Sequence, residues 1–254
     1  MHVRERLSKG AAWTGAIVAL AAALTALASG PGYQYHLWDY RTGFTILRWA
    51  VYTAAGAGVV ALIGCALSVC GRHYRNALTG AAGVALAVAL ISHTWNLQRT
   101  AGQVPLIHDI TTDTANPPQF VALLALRQTT SNGPEYGGEK IASQQKAAYP
   151  DIQPRILDAP PARAFERALA AARSMGWDII AAVPTDGRIE ATATTRWFRF
   201  KDDVIVRVTP QGAGSRIDVR SKSRLGRSDL GANAKRIRAY LHELDTGRAP
   251  AASP

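Results

Sequence analysis

Apolar residues are unevenly placed along the chain: three long runs fall before Gln98, and beyond it they recur only in short periodic groups. The first run, Gly10 to Ala28, has no charged residue over 19 positions. That is the length needed to cross a hydrocarbon core of roughly 30 Å at about 1.5 Å per residue. The second runs from about Leu47 to Cys70 and the third from about Ala77 to Trp95. These Ala, Leu, Val and Gly runs lack the polar stripe of a helix packed into a soluble core, so the pattern predicts three transmembrane helices within residues 1–97.

Beyond the runs the period changes. Phe120 to Leu126 is a short apolar stretch that suits a helical turn as well as a strand. Residues 127–154 are rich in Gln, Thr, Ser, Gly and Pro, with turn signals at Asn132-Gly133-Pro134 and Tyr136-Gly137-Gly138, and read as a long loop over the core. A helix follows, with Asp158 as its N-cap, Pro160 and Pro161 in its first turn and Gly176 just past its end. Phe165, Ala168, Leu169, Ala172 and Met175 form its core stripe. Two hairpins come next. In the first, a three-residue loop Thr185-Asp186-Gly187 sets Val183 opposite Ile189, Ala181 opposite Ala191 and Ile179 opposite Ala193. In the second, Val208 pairs with Ile217 and Val206 with Val219 on one face, and Arg207 with Asp218 on the other. A last helix, from about Asp229 to Leu244, carries Leu230, Ala234, Ile237, Leu241 and Leu244 on its stripe. The Gly, Ala, Pro and Ser tail, 246–254, is expected to be disordered.

The order helix, four strands, helix indicates an α+β class. Three N-terminal transmembrane helices are followed by a soluble domain, 98–245, in which a four-stranded antiparallel meander is packed by two helices. Within it, 98–157 is a loop-rich lead and 158–245 holds the regular elements.

Charge fixes an orientation. Of 29 Lys and Arg and 18 Asp and Glu, seven and two precede Leu97, so the halves carry net charges of +5 and +6. Arg4, Arg6 and Lys9 precede the first run and Arg72 and Arg75 lie between the second and third; the first connection offers only Arg41 and the membrane-edge Arg48. Basic flanks stay in the cytoplasm. The amino terminus is therefore expected there and, after three crossings, the domain outside. Trp38, Tyr40, Trp49, Tyr52 and Trp95 fall where an outer aromatic belt would lie. Ala26-Leu27-Ala28 is also a small-residue cleavage pattern behind a basic flank, and removal of the first run as a signal peptide would leave the domain on the same side. Cys65 and Cys70, the only cysteines, share no helical face, which argues against a disulfide or a metal site.

The junction between the halves reads Ile107-His108-Asp109-Ile110-Thr111-Thr112-Asp113-Thr114-Ala115-Asn116-Pro117-Pro118-Gln119-Phe120. Together with Tyr136-Gly137-Gly138, Tyr149-Pro150 and the run from Ser221 through Arg224, Arg227 and Asp229 to Gly231, it resembles the bacterial family of domains of unknown function numbered 1499 (DUF1499). The resemblance implies a membrane-anchored member in a bacterial inner membrane, with its domain in the periplasm. It supplies no reaction, cofactor or catalytic role.

His108, Asp109 and Asp113 are the candidate catalytic cluster, since an imidazole beside two carboxylates can transfer protons or hold a metal; the spacing matches no metal motif. Asn116 joins them as a candidate binding residue. The competing reading is that these short polar side chains satisfy backbone groups of an irregular segment. Lys222, Arg224 and Arg227, ahead of a helix start at Asp229, are candidate anion ligands, against a reading in which Ser228 or Asp229 caps the helix. Ser143-Gln144-Gln145-Lys146 has the serine and lysine spacing of penicillin-recognising enzymes, but their other motifs are absent. Arg196 to Lys201 interleaves aromatic and basic residues; beside a bilayer, anionic headgroups suit it better than nucleic acid, and an ordinary strand edge with packed aromatics suits it better than either.

The residues point first to a non-catalytic envelope protein whose tethered domain binds a lipid, a small apolar ligand or an envelope partner, with no metal and no cofactor. The rival is an envelope hydrolase using His108, Asp109 and Asp113. Small-residue faces at Gly56, Gly64, Gly80 and Gly83 suggest a third option, a subunit of a membrane complex.

Overall fold

The computed structural model describes residues 2–247, which divide into two units: the residues up to Thr100 with Trp197–Arg199, and Ala101–Arg196 with the residues from Phe200 onward. The expected disorder of the tail falls, beyond Gly247, on positions outside the described residues.

The first unit holds α1 (His2–Gln34), α2 (Tyr40–Cys70) and α3 (Tyr74–Gly102), three helices long and apolar enough to cross a membrane. Each outruns its apolar core, because the polar flanks also sustain helical hydrogen bonding until a stop intervenes. Asp39 caps α2, its carboxylate accepting from the N–H groups of Arg41 at 2.7 Å and Thr42 at 2.9 Å. Helix contacts are built on small residues. A Cβ placed on Gly64 would lie 2.2 Å from the Ala12 nitrogen, and one on Gly83 would lie 2.8 Å from the Ala16 Cα. Gly80 closes likewise on Ala61 and Cys65, whereas Gly56 faces open space. Gly64, Gly80 and Gly83 are therefore occupied within this chain.

The second unit is an antiparallel sheet with helices. Its elements are β1 (Asp109–Thr111), α4 (Leu124–Gln128), α5 (Gly138–Ala148), β2 (Arg155–Leu157), α6 (Pro161–Ser174), β3 (Asp178–Val183), β4 (Arg188–Thr194), β5 (Lys201–Gln211), β6 (Gly214–Ser223) and α7 (Ala232–Thr246). The order is β1-β6-β5-β4-β3, and β2 also pairs with β6. The expected meander is β3 to β6; the sheet has six strands rather than four. The two additions come from the segment read as loop, where three-residue strands carry no period to recognise. They share the free edge of β6, β1 against Arg220–Lys222 and β2 against Ser215–Ile217. The same segment also contains α5, whose Ile141, Ala142 and Gln145 turn inward.

The second hairpin has the expected register, Val208 with Ile217, Val206 with Val219 and Arg207 with Asp218. The first does not. Val183 pairs with Arg188, Ala182 with Ile189 and Ala181 with Glu190, and a bulge between Ile179 and Ala181 then brings Ile179 opposite Ala191. The connection is a 3-10 turn, Pro184–Asp186, closed by Gly187 at φ 60°, where a Cβ would sit 2.1 Å from the Val208 carbonyl oxygen. That turn takes one residue more than expected, and the bulge restores the apolar face.

Alternate residues of β4, β5 and β6 (Ile189, Ala191, Val204, Val206, Val208, Ile217 and Val219) meet the stripes of α6 and α7 in one core. Leu169 and Met175 only flank it, while Ala164 and Ala171 are inside. Trp177 stacks on Tyr240 at 5.1 Å, and the Tyr240 hydroxyl donates to the Ala168 carbonyl at 3.0 Å. Two helix starts differ from expectation. Pro160, not Asp158, precedes α6, with no side-chain cap. The seventh helix begins at Ala232 behind Gly231, and the Asp229 carboxylate accepts from the Gly231 and Asn233 N–H groups at 2.8 Å each.

Candidate functional site

The face of the sheet turned away from α6 and α7 is charged, and most of it is buried. Strand alternation places Glu190 and Thr192 of β4, Asp203, Ile205 and Arg207 of β5, and Arg216, Asp218, Arg220 and Lys222 of β6 on this side. Asp109 and Thr111 of β1 extend it. Residues 112–136 run across it and exclude water, with Phe120 and Leu123 packed against Ile205 and Pro117, Pro118 and Pro134 also buried.

Two carboxylates and two guanidinium groups organise the interior. Asp109 accepts both arms of Arg220, at 2.9 and 2.8 Å, and lies 3.2 Å from the Lys222 ammonium. Asp203 accepts from Arg127 at 2.7 Å, from Arg224 at 2.7 Å and from the Thr192 hydroxyl at 2.9 Å. The arginines then reach outward to the covering segment. Arg220 donates to the Pro118 and Pro134 carbonyls, and Arg127 to those of Asn132, Gly133, Lys222 and Ser223. Lys222 donates to the Glu135 carbonyl. The Phe120 ring lies against both guanidinium groups, with centroids 4.9 Å from Arg127 and 5.1 Å from Arg220, and Tyr136 flanks Arg220 at 5.6 Å. Burial pulls the Lys222 ammonium below its ordinary range, with Asp109 opposing. Burial also pushes the Tyr136 phenol up to about 12, and Asp109 adds to the rise.

Glu190 performs a separate task. Its fully buried carboxylate accepts from three successive backbone N–H groups, those of Val121 at 3.1 Å, Ala122 at 2.8 Å and Leu123 at 2.9 Å. Arg188 pairs with it at 2.5 Å. At the free edge of β1, the Gln145 side chain imitates a neighbouring strand: its oxygen accepts from the Thr111 N–H at 3.0 Å and its nitrogen donates to the Thr111 carbonyl at 2.6 Å.

The residues singled out from sequence scatter over this arrangement. Asp109 is inside it. Asp113 lies at its half-buried margin, accepting from Arg207 at 3.1 Å, Arg216 at 2.9 Å and the Asn116 N–H at 2.9 Å, while the Asn116 carbonyl accepts from Arg207. His108 immediately precedes β1, and its Nδ1 lies 3.4 Å from the Arg227 carbonyl, away from the Arg220 and Lys222 groups that hold Asp109. Lys222 and Arg224 are committed to Asp109 and Asp203, the Arg227 side chain is exposed, and Asp229 occupies the start of α7. Sequence reasoning missed Arg127, Gln145, Glu190, Asp203 and Arg220. The alternation of charged with apolar positions in β5 and β6 marked only Asp203 and Arg220, and a solvated face has the same pattern; Arg127, Gln145 and Glu190 carried no comparable signal. Among the described residues, no three His, Cys, Asp or Glu side chains gather as a metal site.

Chemically, this arrangement fixes a loop to a sheet: each carboxylate is shared among several donors. A family model described as "Protein of unknown function (DUF1499)" matches residues 109–244, beginning at Asp109. No curated protein matches. Among solved structures, the crystal structure of TTHA0849 from Thermus thermophilus aligns with 37% of this chain and 92% of that one at 13% identity, with a TM-score of 0.24, a likeness too slight to build on.

Proposed function

The chain belongs to the DUF1499 family of proteins of unknown function, and from that premise we propose that it is a non-catalytic envelope protein. In this reading its three helices cross a bacterial inner membrane with the amino terminus in the cytoplasm. The domain stands in the periplasm and binds a lipid, a small apolar ligand or another envelope protein. The observation that carries the proposal is the commitment of the carboxylates of the charged face. Asp109, Asp113 and Asp203 each take two cationic side chains, and Glu190 takes three backbone donors and Arg188. A general base needs a lone pair directed at a substrate, and these are directed at the protein. The basic residues flanking α1 and in the turn after α2 support the orientation.

Native mass spectrometry of the full chain, released from nanodiscs, tests the binding reading. A discrete mass that denaturation removes is the expected result, and a clean protein mass under the same release would refute it. Alkaline phosphatase fused after Gly247 tests the side: activity is expected, and an inactive fusion beside an active cytoplasmic reporter would reverse the orientation.

A further inference from the structure

From Ala115 to Pro134 the only charged residue is Arg127, and its guanidinium is fully buried against Asp203. Twenty consecutive positions therefore expose no charge. At their centre Val121, Leu124 and Leu126 are 56%, 40% and 43% exposed, with Ala122 and Ala125 exposed between them. Hydrophobic side chains on one short turn would ordinarily fold inward, as Phe120 and Leu123 do onto Ile205. Here the outward set is held out. Glu190 clamps the start of the turn through three backbone N–H groups, and Arg127 clamps its end through Asp203 and the carbonyls of Lys222 and Ser223. A fully buried ion at each end presents an uncharged apolar knob, and an exposed apolar patch marks an interaction surface.

We infer that this knob, Val121–Leu126, inserts into the headgroup and acyl boundary of the bilayer that the helices occupy. The inference rests on the helices crossing a membrane, but not on which side the domain lies or on any soluble ligand. Three observations favour lipid over protein as the occupant. First, the knob and its flanks (Gln119, Gln128, Thr129, Ser131 and Asn132) carry hydrogen-bonding groups but no charge, so entry into the interface strips water from no ion. Second, only six residues separate the end of α3 at Gly102 from β1 at Asp109, a reach of at most about 20 Å for extended chain. The tether keeps the knob near lipid at high effective concentration. Third, Asp203 lies two positions from the start of β5 at Lys201, so Arg127 fixes the knob at the same end of the sheet as the exposed basic residues Arg196 and Lys201, whose charge favours anionic headgroups.

The test uses the full chain with Cys65 and Cys70 replaced by serine, reconstituted in vesicles of phosphatidylethanolamine and phosphatidylglycerol. An environment-sensitive nitrobenzoxadiazole label is placed in turn at Leu124→Cys, at Ile180→Cys on β3 and at Val59→Cys in the middle of α2. Phospholipids with a doxyl group on the acyl chain serve as quencher. The expected result is a blue-shifted label at position 124 that loses most of its emission to doxyl lipid, as position 59 does, while position 180 keeps its emission. If position 59 is quenched and position 124 stays in water, the knob does not insert and the inference falls alone. A label at 124 that is shielded from water yet unquenched means a protein covers it, which also overturns the inference. An unquenched position 59 would remove both this inference and the membrane reading beneath it.

Discussion

Replacing Asp109 by asparagine keeps the shape of the charged face and removes one negative charge from its interior. Asp109 accepts from Arg220 at 2.9 and 2.8 Å and lies 3.2 Å from Lys222, with the three side chains 3%, 0% and 6% exposed. The variant therefore leaves two buried cations without their carboxylate, a change that costs about 3–5 kcal/mol when one partner of a buried pair is removed. At about 3 °C per kcal/mol for a domain of this size, unfolding should move down by about 10–15 °C. Thermal unfolding of the full chain in nanodiscs, followed by near-ultraviolet circular dichroism, reads the shift. Hydrogen exchange of peptides covering 112–136 reads its location, because the carbonyls of Pro118 and Pro134 depend on Arg220. The pH dependence has a definite sign. Burial already lowers the folded pKa of Lys222 and Asp109 opposes that, so without Asp109 the folded pKa falls further below the unfolded value. Between the two the unfolded chain binds more protons, and stability rises with pH. The deficit of Asp109→Asn should shrink as pH rises from neutrality toward the ordinary lysine pKa of about 10.4. A companion carrying Asp109→Leu and Arg220→Met should recover little of the loss, since Lys222 stays buried without its carboxylate and the Pro118 and Pro134 carbonyls lose their donor. The reasoning is refuted if Asp109→Asn unfolds within about 3 °C of the parent protein or if residues 112–136 exchange no faster.

Tyr136→Phe removes a buried hydroxyl that has no hydrogen-bond partner, so stability at pH 7 should be unchanged or higher by up to about 1 kcal/mol. Burial raises the folded phenol to about 12 against an ordinary 10, so ionising it costs the parent protein stability as pH rises from about 10 to 12; alkaline titration of the variant should show a correspondingly flatter limb. Gln145→Ala exposes both backbone groups of Thr111 and should cost about 1–3 kcal/mol, with faster exchange at that amide; an unchanged amide would show that the edge of β1 is protected otherwise. Gly187→Ala forces a Cβ to within 2.1 Å of the Val208 carbonyl oxygen at φ 60°, and chemical denaturation should register a loss of more than about 1 kcal/mol. By contrast Asp151→Asn breaks an exposed pair with Arg238, 2.5 Å apart, that lowers the Asp151 pKa; its cost should stay below about 1 kcal/mol and diminish with salt.

The elements that could be read from sequence are those whose pattern distinguishes one structure from its rivals. The three membrane runs have no amphipathic alternative, and the hairpin of β5 and β6 has only one register that suits both faces at once. On β3 the five residues Ile179 to Val183 are all apolar, so no alternation revealed the bulge that resets the pairing. Short β1 and β2 lie below the length at which a period exists, and α5 is too polar to announce a core stripe. The candidate site was harder still. Arg207, Arg220 and Asp203 alternate with apolar neighbours as residues of a solvated face do, and only residues far away in sequence, 112–136, determine that most of this face is covered.

A buried charged face is a costly way to cover a sheet, and the shape of the cover explains it. Residues 112–136 place only Phe120 and Leu123 on Ile205, too small a contact to hold an irregular segment of that length in one position. The segment also carries carbonyls at Pro118, Asn132, Gly133, Pro134 and Glu135 that would be stranded against an apolar sheet. Arg127, Arg220 and Lys222 supply donors to these carbonyls, and cations so deeply placed require anions beside them. Asp109 and Asp203 provide those anions. The carboxylate that made the junction look like an active site is, in this account, the counter-charge of a clasp, and what the clasp holds outward is the apolar turn from Val121 to Leu126. Chemistry at Asp109 and lipid contact at Leu124 therefore make opposite demands on the same variant: if Asp109→Asn abolishes function while the turn keeps its hydrogen-exchange protection, the carboxylate acts directly, and if the two are lost together it acts by holding the turn.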